Sequence, residues 1–172
     1  MLLTMALVTL LATVRVSLAE DNVKFRGALV ALPCVIPPGE ENITLDFGTI
    51  ITKYLYANGR TKGQKFGIHL TQCDTSIANS VKVMFSGNED GVLTGFLELN
   101  TGSQAEGVAI GIETGSGQFL PLNTLSPYRN INSGDNTLSF ISYVQGYPRN
   151  IAGENIKVGN FAASATFWLY YE

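Results

Sequence analysis

Apolar and polar residues alternate with period two along most of this chain. Val23, Phe25, Gly27 and Leu29 share one face of the first run, and Ile43, Leu45 and Phe47 share a face of the next. Phe66, Ile68 and Leu70 follow, then Val81, Val83 and Phe85, then Val108, Ile110 and Ile112. Leu138, Phe140, Ser142 and Val144 precede the longest run, in which Phe161, Ala163, Ala165, Phe167, Leu169 and Tyr171 recur at every second position. Successive side chains on a strand point to opposite faces, so each run predicts a strand with one apolar side. Turn residues separate them: Pro37-Pro38-Gly39, Asn58-Gly59, Gly115-Ser116-Gly117 and Ser133-Gly134-Asp135. No segment keeps a 3.6-residue period over three turns. The pattern predicts an all-β chain, an antiparallel sandwich or barrel of short strands.

The two ends are unusual. Chain termini are commonly frayed and polar, yet here the apolar face runs to Tyr171, one residue from the terminal Glu172. Such a face has to be covered. At the other end residues 20–30 read as an extended arm, and an arm with an apolar face is an aggregation risk if left free in water. It is either the first strand of the chain's own sandwich or a strand lent to another molecule. Gly27 bears on the choice, because glycine inside a strand weakens it and marks close approach of another backbone.

Residues 1–19 carry the pattern of a secretory signal, with an apolar run from Leu2 to Val14 and small residues at Ser17 and Ala19. The run is too short to span a bilayer. Export places Cys34 and Cys73, the only cysteines, in an oxidising compartment, where one disulfide is the natural reading and two separate buried thiols the alternative. Eleven Lys and Arg against fourteen Asp and Glu give a net charge of −3. This is no nucleic-acid footprint.

Catalytic and metal chemistry find little support. His69 is the only histidine and falls on the face opposite Phe66, Ile68 and Leu70, toward solvent. No nucleophile elbow accompanies it, and no set of His and Cys ligands for zinc or copper remains once the cysteines are assigned. Glu40-Glu41 and Glu89-Asp90 read as solvated loop charges rather than an acid/base pair. The glycines at 111–117 have no helix after them and read as a loop, not a phosphate cradle. No cofactor, small-molecule substrate or enzymatic activity is expected. A self-contained secreted β-sandwich that binds a ligand alone remains a competing reading.

Three elements in order carry a resemblance: the arm at residues 22–29 followed by Pro33-Cys34, the strand from Phe66 to Cys73, and a C-terminal segment with Gly159 fourteenth from the end and Tyr171 penultimate. The chain resembles the subunits of chaperone–usher fimbriae, the bacterial pilins, and is closest in pattern to the minor, adaptor-like subunits of P-type fimbriae. The resemblance implies an incomplete immunoglobulin-like sandwich lacking its seventh strand, completed by a donor strand. It implies a signal peptide over 1–19, a donor-strand extension over 20–30 and a pilin domain over 31–172. Val23, Phe25, Gly27 and Leu29 would enter a neighbour's groove. Gly159, Phe161, Ala163, Ala165, Phe167, Leu169 and Tyr171 would form the edge read by a periplasmic chaperone, with Glu172 anchored by it. The implied partners are that chaperone, an outer-membrane usher and neighbouring fimbrial subunits. The implied route runs through the periplasm to a surface fimbrium, with major shaft pilin as the alternative role.

Overall fold

The computed structural model describes residues 25–172; Val23 and the signal-like stretch lie outside them. The chain divides between Val30 and Ala31. Residues 25–30 form no strand or helix, and their large side chains Phe25, Leu29 and Val30 are exposed.

The body, from Ala31 to Glu172, contains six strands and two short helices. In chain order these are α1 (Thr52–Asn58), β1 (Gln64–Cys73), β2 (Ser80–Ser86), β3 (Val108–Thr114), β4 (Arg129–Asn130), β5 (Gly134–Gly146), α2 (Pro148–Ala152) and β6 (Thr166–Tyr171). They form two three-stranded antiparallel sheets, ordered β1-β5-β3 and β4-β2-β6. The result is a sandwich, as the period-two pattern predicts.

The alternating faces account for the core. On β2, Val81, Val83 and Phe85 are buried while Lys82 and Met84 between them are half-buried. From β1 come Ile68 and Leu70, and from β5 Leu138, Phe140 and Val144. Phe140 joins the layers, its ring centroid 5.6 Å from Phe66 and 5.0 Å from Phe85 of the opposite sheet. Burying a side chain of this size is worth roughly 1.5–3 kcal/mol, so the facing phenylalanines are a principal tie between sheets. Cys34 and Cys73 are joined in a disulfide, beside the antiparallel bridge of Val35 to Thr71. That link fixes the body's first residues to the end of β1.

Three expectations are corrected. In the run Ile43, Leu45, Phe47 the last two are half-buried and Ile43 is exposed, but residues 42–50 make no ladder. The 111–117 segment is not all loop, since β3 continues through Thr114 and only Gly115–Gly117 turns. Of Glu89-Asp90 only Glu89 is exposed: Asp90 is buried and accepts bonds from the main-chain N–H groups of Val92 and Leu93 and from the Tyr147 hydroxyl. The helices, of seven and five residues, were invisible to a three-turn criterion. Pro148 at the first turn of α2, where its missing N–H costs nothing, starts that helix.

Candidate assembly groove

A groove of about 940 Å³ opens into the core of the body. One wall is the segment 42–50, and the other is the segment 159–167 that leads into and begins β6. The floor is formed by Phe66, Phe85, Leu97, Ile110 and Ile112, residues drawn from both sheets. A soluble domain ordinarily closes such a gap with a strand, because an apolar core open to water forfeits its burial energy.

Among the described residues both walls carry main-chain groups without a main-chain partner. The outer edge of the second wall is paired, with Asn100 N–H donating to Ala162 C=O and Gln104 N–H to Asn160 C=O, each at 2.7 Å. Among the described residues no main-chain partner stands opposite Phe161, Ala163 or Ala165. The first wall is held by side chains: Gln64 Nε2 donates to Asp46 C=O at 2.7 Å, and Gly48 N–H to Asp46 Oδ1 at 2.8 Å. Main-chain groups left free along two facing segments are the requirement for receiving a strand between them.

Side chains sort along the second wall as the sequence implies. Phe161, Ala163 and Phe167 turn inward and are half-buried against the core, while Ala162, Ser164 and Trp168 are exposed. Gly159 lies where a Cβ would stand 2.5 Å from Gln104 Cβ, so only glycine fits there. Ala165 borders the groove but is exposed. Leu169 and Tyr171 pack on the core beyond the groove, opposite Val83 and Val81 of β2, and burial pushes the Tyr171 hydroxyl's pKa up. At the terminus, Glu172 C=O accepts from Asn79 and Ser80 N–H at 3.1 Å each, and its side chain pairs with Lys82. The residues expected to act as a donor strand, Phe25, Gly27 and Leu29, precede the body, and Val23 lies outside the described residues.

Sequence reasoning did not foresee the first wall as half of a site. The signal was there: Ile43, Leu45 and Phe47 alternate, and two prolines precede them. His69 does face solvent, where its Nδ1 lies 2.6 Å from Glu40 Oε2, just before this wall.

Residues 23–172 match the family profile described as Fimbrial protein. The chain belongs to that family. It is 36% identical over 155 residues to the major MR/P fimbria protein of Proteus mirabilis (strain HI4320), across 89% of this chain and 85% of that protein. It is 33% identical over 158 residues to the fimbrial-like protein FimF of Salmonella typhimurium, across 90% and 86%. Among solved structures it is similar to the P pilus rod subunit PapA, with a TM-score of 0.70 and 25% identity over 82% of this chain and all of that one. A chaperone–usher pilus structure shares the fold, with a TM-score of 0.69 at 24% identity over 92% of this chain. The fold is therefore the immunoglobulin-like sandwich of chaperone–usher pilins. This fimbrial subunit is a structural protein, not an enzyme, and its place is a surface fimbria reached through the periplasm.

Proposed function

We propose that this subunit polymerises by donor-strand exchange, accepting a strand in its groove and lending its own residues 20–30, ahead of the pilin domain over 31–172, to a neighbour. The observation that carries the reading is the pair of walls with unpaired main chain on either side of a groove floored by apolar core residues. In the periplasm a chaperone strand would occupy the groove beside segment 159–167, with Glu172 at its anchor. At the usher, the arm of the next subunit would replace it. Val23, Phe25, Gly27 and Leu29 would face the floor, since a slip of one residue would turn the whole apolar set outward. Residues 1–19 would be removed on export.

Deletion of residues 20–30 tests this. The truncated subunit should still co-purify with its chaperone and accept another subunit's arm, yet fail to join the preceding subunit. Loss of folding and chaperone binding together would make the arm an internal strand.

Its place in the fibre has two readings. The sequence pattern resembles minor, adaptor-like subunits that support adhesion. The shaft reading has its own support in the similarity to a major MR/P fimbria protein. Copy number in isolated fimbriae separates them: a shaft subunit dominates the preparation, and an adaptor is present at a few copies per fibre.

A further inference from the structure

The two walls of the groove are held in different ways. Segment 159–167 is tied along its outer edge by main-chain bonds to Asn100 and Gln104 and continues into the β2–β6 ladder. Segment 42–50 has no ladder. It is anchored beyond its ends, by the bridge of Val35 to Thr71 before it and by α1 after it, where Leu55 is buried. Between those anchors, among the described residues, one hydrogen bond joins it to the rest of the body: Gln64 Nε2 donates to Asp46 C=O at 2.7 Å. Gln64 opens β1 and stands opposite Ser142 of β5, so the sheet fixes its main chain. Asp46 Oδ1 in turn accepts Gly48 N–H at 2.8 Å, and Gly48 has a φ of +60°, the left-handed conformation that favours glycine. The two bonds on Asp46 shape the chain around Phe47, whose ring centroid stands 6.4 Å from that of Phe161 on the other wall.

Apolar contact alone would not keep this wall where it stands. Leu45, Phe47 and Ile50 are half-buried and border the same groove as the apolar floor. The hydrophobic effect has no direction, so it favours any movement that buries them further. A hydrogen bond is directional and fixes a distance. We propose that Gln64 is a positioning residue for strand acceptance: by holding Asp46 C=O it keeps the first wall, Phe47 included, at the width an entering strand needs. The inference rests on the donor-strand reading above and adds a residue that governs how readily the groove is filled. Gln64 is not among the residues that line the groove, so it acts through Asp46. A wall released from it settles toward the floor, and an entering strand first has to lift it. Segment 159–167, held by main-chain bonds of its own, keeps its place.

The test uses the subunit purified with its chaperone, with fluorescent synthetic peptides of residues 20–30 and of the corresponding arms of other subunits from the same fimbria. Gln64→Glu keeps the size of the side chain and removes the donor. This variant should be recovered as a chaperone complex at native yield, yet take up arm peptide roughly two- to tenfold more slowly, the range that one net hydrogen bond supplies. Amide hydrogen exchange should quicken in residues 42–50 and stay unchanged in β1 and β5. Gln64→Lys restores a donor and should return uptake close to the native rate. Gln64→Met takes the place of Gln64→Glu if the latter is not recovered. Native uptake by the variant without a donor, or equal slowing in Gln64→Lys, would overturn the assignment. Exchange that quickens throughout β1 and β5 would make Gln64 a residue of general stability and overturn it as well. If the native complex takes up no arm peptide, the donor-strand reading fails and this inference falls with it.

Discussion

Lys82 Nζ lies 2.5 Å from Glu172 Oε1, joining β2 to the last residue of the chain. The two residues are neighbours because Lys82 stands opposite Tyr170 in the β2–β6 ladder, and Glu172 follows two positions later. The side-chain carboxylate of the terminal residue thus already has a cation. On the reading proposed above, this side chain is then not what a chaperone would hold. More than half of the Glu172 side chain is exposed, so solvent screens the pair and its worth is at most about 1 kcal/mol. We expect Glu172→Gln to leave both thermal stability and recovery of the chaperone complex nearly unchanged. Loss of the complex would make the side chain the anchor.

Tyr147 and Asp90 form the opposite case, a polar contact inside the fold. Asp90 is 5% exposed and receives two main-chain N–H groups besides the Tyr147 hydroxyl. Tyr147→Phe removes one donor from a buried carboxylate, which costs about 1–3 kcal/mol and should appear as a lowered Tm. Burial first, and then the bond to Asp90, push the Tyr147 hydroxyl well above its ordinary pKa of 10.0. The unfolded chain therefore releases this proton at a lower pH than the folded one. Above about pH 10 the unfolded state holds fewer protons, and stability falls as pH rises. The native protein should lose stability more steeply there than Tyr147→Phe, a difference that denaturant titrations at pH 9 and 11 would read.

The disulfide closes a loop with a sequence separation of 39. Chain-entropy reasoning gives it about 4 kcal/mol through restriction of the unfolded state. Cys34→Ser together with Cys73→Ser should lower stability by that order and reduce the yield of chaperone complex. Intact mass after alkylation, with and without reduction, checks the bridge itself: native material should take up label only when reduced.

Period-two reading captured β1, β2, β3, β5 and β6, because each has an apolar face whose burial needs only local alternation. It placed Ile43, Leu45 and Phe47 on one face but expected a strand. Strand assignment needs a hydrogen-bonded neighbour, and none of the described residues pairs with that segment. The terminal run shows the same effect: alternation begins at Phe161, while the ladder begins at Thr166, opposite Ser86. Both discrepancies fall on the groove walls, so the site lies where the apolar pattern outruns the pairing. Asp90 escaped because its donor Tyr147 is 57 positions away, and no local pattern announces such a partner. Arg60, stacked 3.9 Å from the centroid of Tyr143 and bonded to the buried Glu113, escaped for the same reason.

Leu169 and Trp168 test whether the C-terminal strand is read by its faces. They are adjacent, so any effect of chain position alone falls on both equally. Leu169 points inward, half-buried and opposite Val83, whereas Trp168 opposite Met84 is 53% exposed. A carboxylate at 169 would be driven toward the apolar core without a cation to pair with, which costs several kcal/mol. A serine at 168 exchanges one solvent-facing side chain for another and leaves the β2–β6 main-chain bonds in place. Leu169→Asp should therefore abolish the soluble chaperone complex and expose the subunit to degradation. Trp168→Ser should be recovered at close to native yield. Co-purification of each variant with the chaperone from periplasmic extracts reads both outcomes. Equal loss in the two would mean that the strand tolerates no change on either side, and the assignment of one face to the core and the other to solvent would fall.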